Sequence, residues 1–197
     1  MVDIKTHKNY GSFDIAFSAT GYARRAFVSY IKPGFYEIHA DKKRYNIALP
    51  HIYIITTYDT DYPERGYVYC SDKKLRNTNN DLCILNLPNI NSYNGQICMP
   101  FPRHRTACSS LNDFKKSTRH YCYNFLASSF QHGSEPIFDM YNKLVNDEYL
   151  DSLVLEDNLL VWELFSKKYG LNAVLKKIDW PIYRTVGELL SKYCDNY

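Results

Sequence analysis

The run His51-Ile52-Tyr53-Ile54-Ile55-Thr56-Thr57-Tyr58 constrains the fold more than any other segment of the chain. Apart from His51, every residue is aromatic or β-branched. These types crowd a helical turn but pack well on a pleated surface. The flanks repeat the theme. Residues 13–18 alternate apolar and polar, Ala26-Phe27-Val28-Ser29-Tyr30-Ile31 is aromatic and β-branched, and Pro33-Gly34 marks a turn. A short strand is expected over 35–39, a hairpin tip at Asp41-Lys42-Lys43, and a strand over 45–49 running into Pro50. The turn-rich link 59–66 then lets Tyr67-Val68-Tyr69-Cys70 pair back. Consecutive strands with short links predict an antiparallel meander.

The remaining sequence changes character. Residues 77–106 are irregular, with Pro88, Gly95, Pro100, Pro102 and two Asn-rich clusters. So long a loop in a compact domain is usually functional. Beyond it the pattern is helical. Ser109 and Ser110 offer N-caps for a helix running to about Gln131, whose apolar positions Phe114, Tyr121, Phe125 and Leu126 share a face; Thr118 fits that face less well. Gly133 can end it. Further helices are expected after Glu135-Pro136, over 153–169 closed by Gly170, and over 186–193. The fold class is therefore α+β, strands first and helices last.

The chain has 197 residues and 45% hydrophobic content, enough for one substantial domain or a core with an added lobe. Its net charge of +3 is too small to imply nucleic acid by itself. Charge is nonetheless divided. Five basic residues against Asp113 lie between Arg103 and Arg119, and eight acidic residues against Lys143 lie between Glu135 and Glu163. They read as solvated faces of opposite sign, or as docking sites, the acidic 135–163 helices for a protein partner. The six cysteines stand at 70, 83, 98, 108, 122 and 194, with no C-x-x-C pair and no zinc-ligand spacing. No signal peptide is read in the first ten residues, and no apolar run approaches the roughly 20 needed to span a bilayer. The expectation is a cytoplasmic protein with free thiols, no cofactor and no membrane association.

Function turns on Leu87-Pro88-Asn89-Ile90-Asn91-Ser92-Tyr93-Asn94-Gly95-Gln96-Ile97-Cys98. Pro-Asn opens one turn, and Asn94-Gly95 makes a second, because Gly accepts positive φ and Asn tolerates it. A thiol at the end of such a loop is displayed where a helix or strand would bury it. Cys98 is then either a nucleophile or a small packed hydrophobe. His104, Arg103 and Arg105 are candidates for lowering its pKa if the chain folds back. His120, His132 and Ser128-Ser129 read as surface or capping residues, and Cys83, Cys108 and Cys122 as structural thiols.

Strands, then a loop carrying Pro-Asn, Asn-Gly and Ile97-Cys98, then helices: this order resembles the ubiquitin-conjugating enzymes. It is most similar to their bacterial branch, which includes PRTRC system protein B of plasmids and mobile elements. That branch also lacks the leading His, replaced here by Leu87. It also places a Phe-x-x-Ser-Phe-like element downstream, matched here by Phe125-Leu126-Ala127-Ser128-Ser129-Phe130. The chain departs from the pattern by one extra residue, placed at Tyr93. The resemblance implies a ubiquitin-conjugating-like core over 1–132; residues 133–197, outside the resemblance, are expected to form a helical extension packed on that core. It implies that Cys98 carries a ubiquitin-like modifier as a thioester after charging by an activating enzyme. Asn89 would stabilise the oxyanion or brace the loop, and Pro88, Asn94, Gly95 and His104 would support it. Three alternatives stay open. One is an inactive binding module of the same fold. Another is a nucleic-acid accessory protein using 103–119 with Tyr121 and Tyr123. The last is a cysteine hydrolase pairing Cys98 with His104 or His120.

Overall fold

Strand β6 (His51–Asp59) lies at the centre of a large antiparallel sheet, as its composition demands. In the computed structural model the described residues are 2–40, 42–85, 87, 89–91, 93–98, 107–130, 157–176, 178 and 180–195. Besides β6 they form β1 (Asp3–Thr6), β2 (Ile15–Thr20), β3 (Arg24–Ile31), β4 (Gly34–Ala40), β5 (Lys43–Leu49), β7 (Tyr62–Ser71), β8 (Asp81–Ile84), β9 (Ser129–Phe130) and β10 (Ile182–Thr185). Three helices accompany them: α1 (Leu111–Ala127), α2 (Asn158–Lys176) and α3 (Val186–Asp195).

The large sheet runs β1-β2-β3-β6-β7-β8-β10. The expected meander is interrupted once. β3 pairs with β6 along Arg24↔Asp59 to Ile31↔Ile52, and the intervening β4–β5 hairpin forms a separate sheet with β9. Lys42, in the left-handed region, turns that hairpin where its tip was expected. The expected boundary at 132/133 lies outside the described residues. Beyond it, β10 pairs with β8 in the large sheet, and α3 packs on β2 and β3.

Side chains alternate across the sheet with the two-residue period of a strand. Ile52, Ile54, Val68 and Cys70 face a core completed by α1, α2 and the β4–β5 hairpin. Tyr53, Ile55, Tyr67 and Tyr69 face a second core closed by Val186, Leu189, Leu190 and Tyr193 of α3. Helix α1 starts as its sequence predicts. Ser110 accepts from the Asp113 N–H, and the Asp113 carboxylate accepts from the Ser110 N–H, a reciprocal capping box. Thr118, an imperfect fit to the apolar face by sequence, is fully buried there. The helix stops at Ala127, short of Gln131, because Ser128 turns its hydroxyl onto the Phe125 carbonyl and the chain joins β4 as β9.

Helix α2 protects the open edge of β5. Asn46 N–H donates to Glu163, Ala48 N–H donates to Ser166, and Tyr45 and Lys43 both reach Asp157 at the helix start. The described part of the acidic 135–163 stretch is therefore structural, since Asp157 and Glu163 are spent on β5. Gly170, with φ 72°, breaks the helix as expected, and a further turn continues to Lys176.

Tyr121 of α1 lies against Gly66 of β7, where a Cβ would overlap the phenol ring. Gly66→Ala should lower stability by about 1–3 kcal/mol through overpacking, read as a reduced urea midpoint at unchanged slope. A second prediction concerns pH. Burial raises Tyr30 to about 12 and carries Tyr53, Tyr69 and Tyr193 above the ordinary phenol value. A group whose folded pKa is raised stabilises fully below its unfolded pKa and loses that contribution as pH rises. Urea midpoints should therefore hold to about pH 9 and fall steeply beyond about pH 10, where unfolded tyrosines ionise.

Candidate functional site

Residues 89–91 and 93–98 lie as a tight hairpin against the outer edge of β7. Ile97 N–H donates to the Gly66 carbonyl at 2.9 Å, and Val68 N–H donates to the Gly95 carbonyl at 2.8 Å. Within the hairpin, Asn91 N–H reaches the Gln96 carbonyl at 2.9 Å, and Gly95 N–H reaches the Asn91 carbonyl at 2.8 Å. Gly95 has φ +73°, and a Cβ there would press on the Val68 carbonyl and the Tyr69 ring. Both the turn and the close approach thus demand glycine. Asn94 serves through two groups: its side-chain oxygen accepts from Gln96 N–H, and its carbonyl accepts from the Tyr69 hydroxyl at 2.7 Å.

Tyr93 sits exposed at the tip of this turn, its N–H on the Asn91 side chain. The pairings Asn91–Gln96 and Ile90–Ile97 close beneath it. Leu87 is buried in the core shared with α1. Its position is one of packing, which explains an apolar residue there.

Asn89 takes the left-handed conformation, φ 64°, and its carbonyl accepts the Cys98 N–H at 2.7 Å. That bond fixes the backbone at the thiol. Cys98 is exposed, whereas the other five cysteines are buried. Burial raises Cys122 to about 12 and Cys194 to about 11, and it holds Cys70 well above the ordinary thiol value, with Cys83 and Asp72 adding to it. Those thiols stay protonated at neutral pH. Among the described residues no hydrogen bond reaches the Cys98 sulfur. His120 is exposed on α1; Pro88, Arg103, His104, Arg105 and His132 lie outside the described residues. Among the described residues no cluster of side chains is placed to hold a metal ion.

Three residues that support the loop were not singled out for it from sequence. Gly66 supplies the carbonyl that holds Ile97. Tyr69 ties Asn94 to α3 through the Tyr193 hydroxyl at 2.6 Å. Tyr121 lies behind the loop, its phenol raised by burial and then by the Cys122 and Cys98 thiols. Tyr121 is buried, which removes it as a nucleic-acid-stacking ring and corrects that expectation. No sequence signal marked these roles, because each depends on strands paired across long separations.

Comparison with protein-family models, curated proteins and solved structures finds no match to this chain.

The contrast among thiols is directly measurable. Native protein should titrate one fast thiol with a disulfide reagent, lost in Cys98→Ala, and five more only after denaturation. Slow reaction of Cys98 at the rate of the other five would contradict its exposure.

Proposed function

We propose that Cys98 accepts a ubiquitin-like modifier as a thioester, the activity of a ubiquitin-conjugating-like protein. The reading rests on one observation: the exposed cysteine leaves a hairpin clamped to β7, with its N–H held by Asn89. The loop's Pro88-Asn89, Asn94-Gly95 and Ile97-Cys98 pattern, the basis of the resemblance drawn from the sequence, is the second support for that reading.

The chemistry is a pair of acyl transfers. The Cys98 thiolate attacks the carbonyl of the modifier's C-terminal thioester on an activating enzyme. A new C–S bond forms, the old one breaks, and the departing thiol takes up the proton that Cys98 released. A target amine then attacks the Cys98 thioester, forming an amide and restoring the thiol. Both steps pass through a tetrahedral oxyanion. A well-aimed Asn amide stabilises such a species by about 3–4 kcal/mol.

The test is charging by an activating enzyme and modifier encoded beside this chain. Wild type should form an adduct cleaved by thiol reductant, Cys98→Ser a reductant-resistant ester, and Cys98→Ala none. An adduct on Cys98→Ala overturns the assignment; failure of wild type to charge favours a binding module of the same fold. Asn89→Gly separates the two roles of Asn89, because glycine accepts the same φ without a side chain. If the amide acts on the oxyanion, charged Asn89→Gly should transfer to an amine about 10²–10³-fold more slowly. Unchanged transfer would leave Asn89 as a backbone brace.

A further inference from the structure

Three segments distant in sequence meet around residues 7–10. A cleft of about 610 Å³ is lined by Lys8, Lys73, Lys74 and Arg76, with no carboxylate in its wall. A second, of about 250 Å³, shares the wall from His7 to Tyr10 and adds Lys115, Arg119 and Asp14. Asp14 is already engaged, accepting from Arg119 at 3.0 Å and from the Gly11 N–H at 2.9 Å. Six cations against one carboxylate give this surface a net +5, while the whole chain carries +3. The rest of the molecule is therefore net negative, and the positive excess is concentrated here.

His7, in the wall the clefts share, is hydrogen-bonded to Ser18, and burial, then Lys115 and Lys5, lower its pKa. The surface also carries an aromatic platform. Phe13, in the wall of the smaller cleft, stacks on the exposed Tyr123 at 4.4 Å and 18°. Phe13 has φ 66°, a rare conformation for a bulky side chain, held by its N–H on the Tyr30 carbonyl. Such strain persists only where the surroundings impose it.

We propose that this surface binds single-stranded nucleic acid, with phosphates along the two basic clefts and a base on the Phe13–Tyr123 pair. Cations spread over two adjoining clefts suit a chain of phosphates better than one anion. The exposed Tyr123 ring beside them, backed by Phe13, suits an unpaired base, which neither a duplex nor an acidic peptide presents. None of these residues belongs to the Cys98 loop, so the activity is independent of the thiol.

Fluorescence anisotropy with a labelled single strand of about 15 nucleotides provides the test, with the matching duplex and polyglutamate as competitors. Arg119 is paired with Asp14 and Lys74 is held on the Tyr10 carbonyl, which leaves Lys8, Lys73, Arg76 and Lys115 for phosphates. Four phosphate contacts imply a slope of about −3 in log K against log salt, or about 50-fold weaker binding from 50 to 200 mM. Lys73→Ala/Arg76→Ala/Lys115→Ala, three exposed positions, should bring the slope to about −1. Tyr123→Leu should weaken single-strand binding about tenfold and leave the slope unchanged. Absence of binding at 50 mM salt overturns the proposal, as does an unaltered slope in the triple variant. Equal competition by polyglutamate would show an acidic-protein surface, and preference for the duplex would show backbone binding without stacking; either overturns it.

Discussion

The outer edge of β7 is the constraint on which the candidate site depends. Its later half, at Tyr69 and Cys70, is paired by β8; its earlier half, at Gly66 and Val68, has no strand beside it. Backbone groups there need partners, since an unpaired buried amide costs as much as a lost hydrogen bond. Residues 95–97 provide them. The loop is irregular in its own conformation, yet it is registered against the sheet as firmly as a strand. Cys98 follows directly after the last bond to β7, so the thiol takes its position from β7 and its exposure from the end of the pairing.

Six of the 19 tyrosines carry a structural load in the second core. Tyr10, Tyr30, Tyr53, Tyr67, Tyr69 and Tyr193 fill the core beneath α3. A phenol brings apolar area and one polar end, so a core built from it must route its hydroxyls. Here the routes run to loops. Tyr10 donates to the Leu75 carbonyl, Tyr53 accepts from the Leu75 N–H, and Tyr69 donates to Asn94. The second core thereby fastens both the 72–80 turn beside the basic clefts and the hairpin that carries the thiol.

Much of this was legible from local patterns. The β-branched run of β6, the Ser110 capping box, the Gly170 break and the Asn94-Gly95 turn are properties of neighbouring residues, and neighbouring residues record them. Partner choice is not local. Nothing in Gly34–Ala40 says that β4 leaves the large sheet, or that β10 joins it. Leu87 illustrates the difference. Its neighbours in the chain do not show where its side chain goes, and the folded structure packs it in the core. The basic surface was harder still: the 103–119 run marks Lys115 and Arg119, but Lys8, Lys73 and Arg76 are unremarkable where they stand in the chain and join them only after folding.

The link from Tyr69 to Tyr193 spans 124 residues, and β8 waits for β10 across a similar distance. Closing such separations costs chain entropy before any contact repays it, and pairings of such high sequence separation slow folding. During synthesis, β7 emerges long before α3 can brace it. In that interval β8 is a strand in search of its second partner, and the thiol beyond it belongs to a chain not yet closed. Maturation of the candidate site is thus timed by the arrival of a helix that never touches the sulfur.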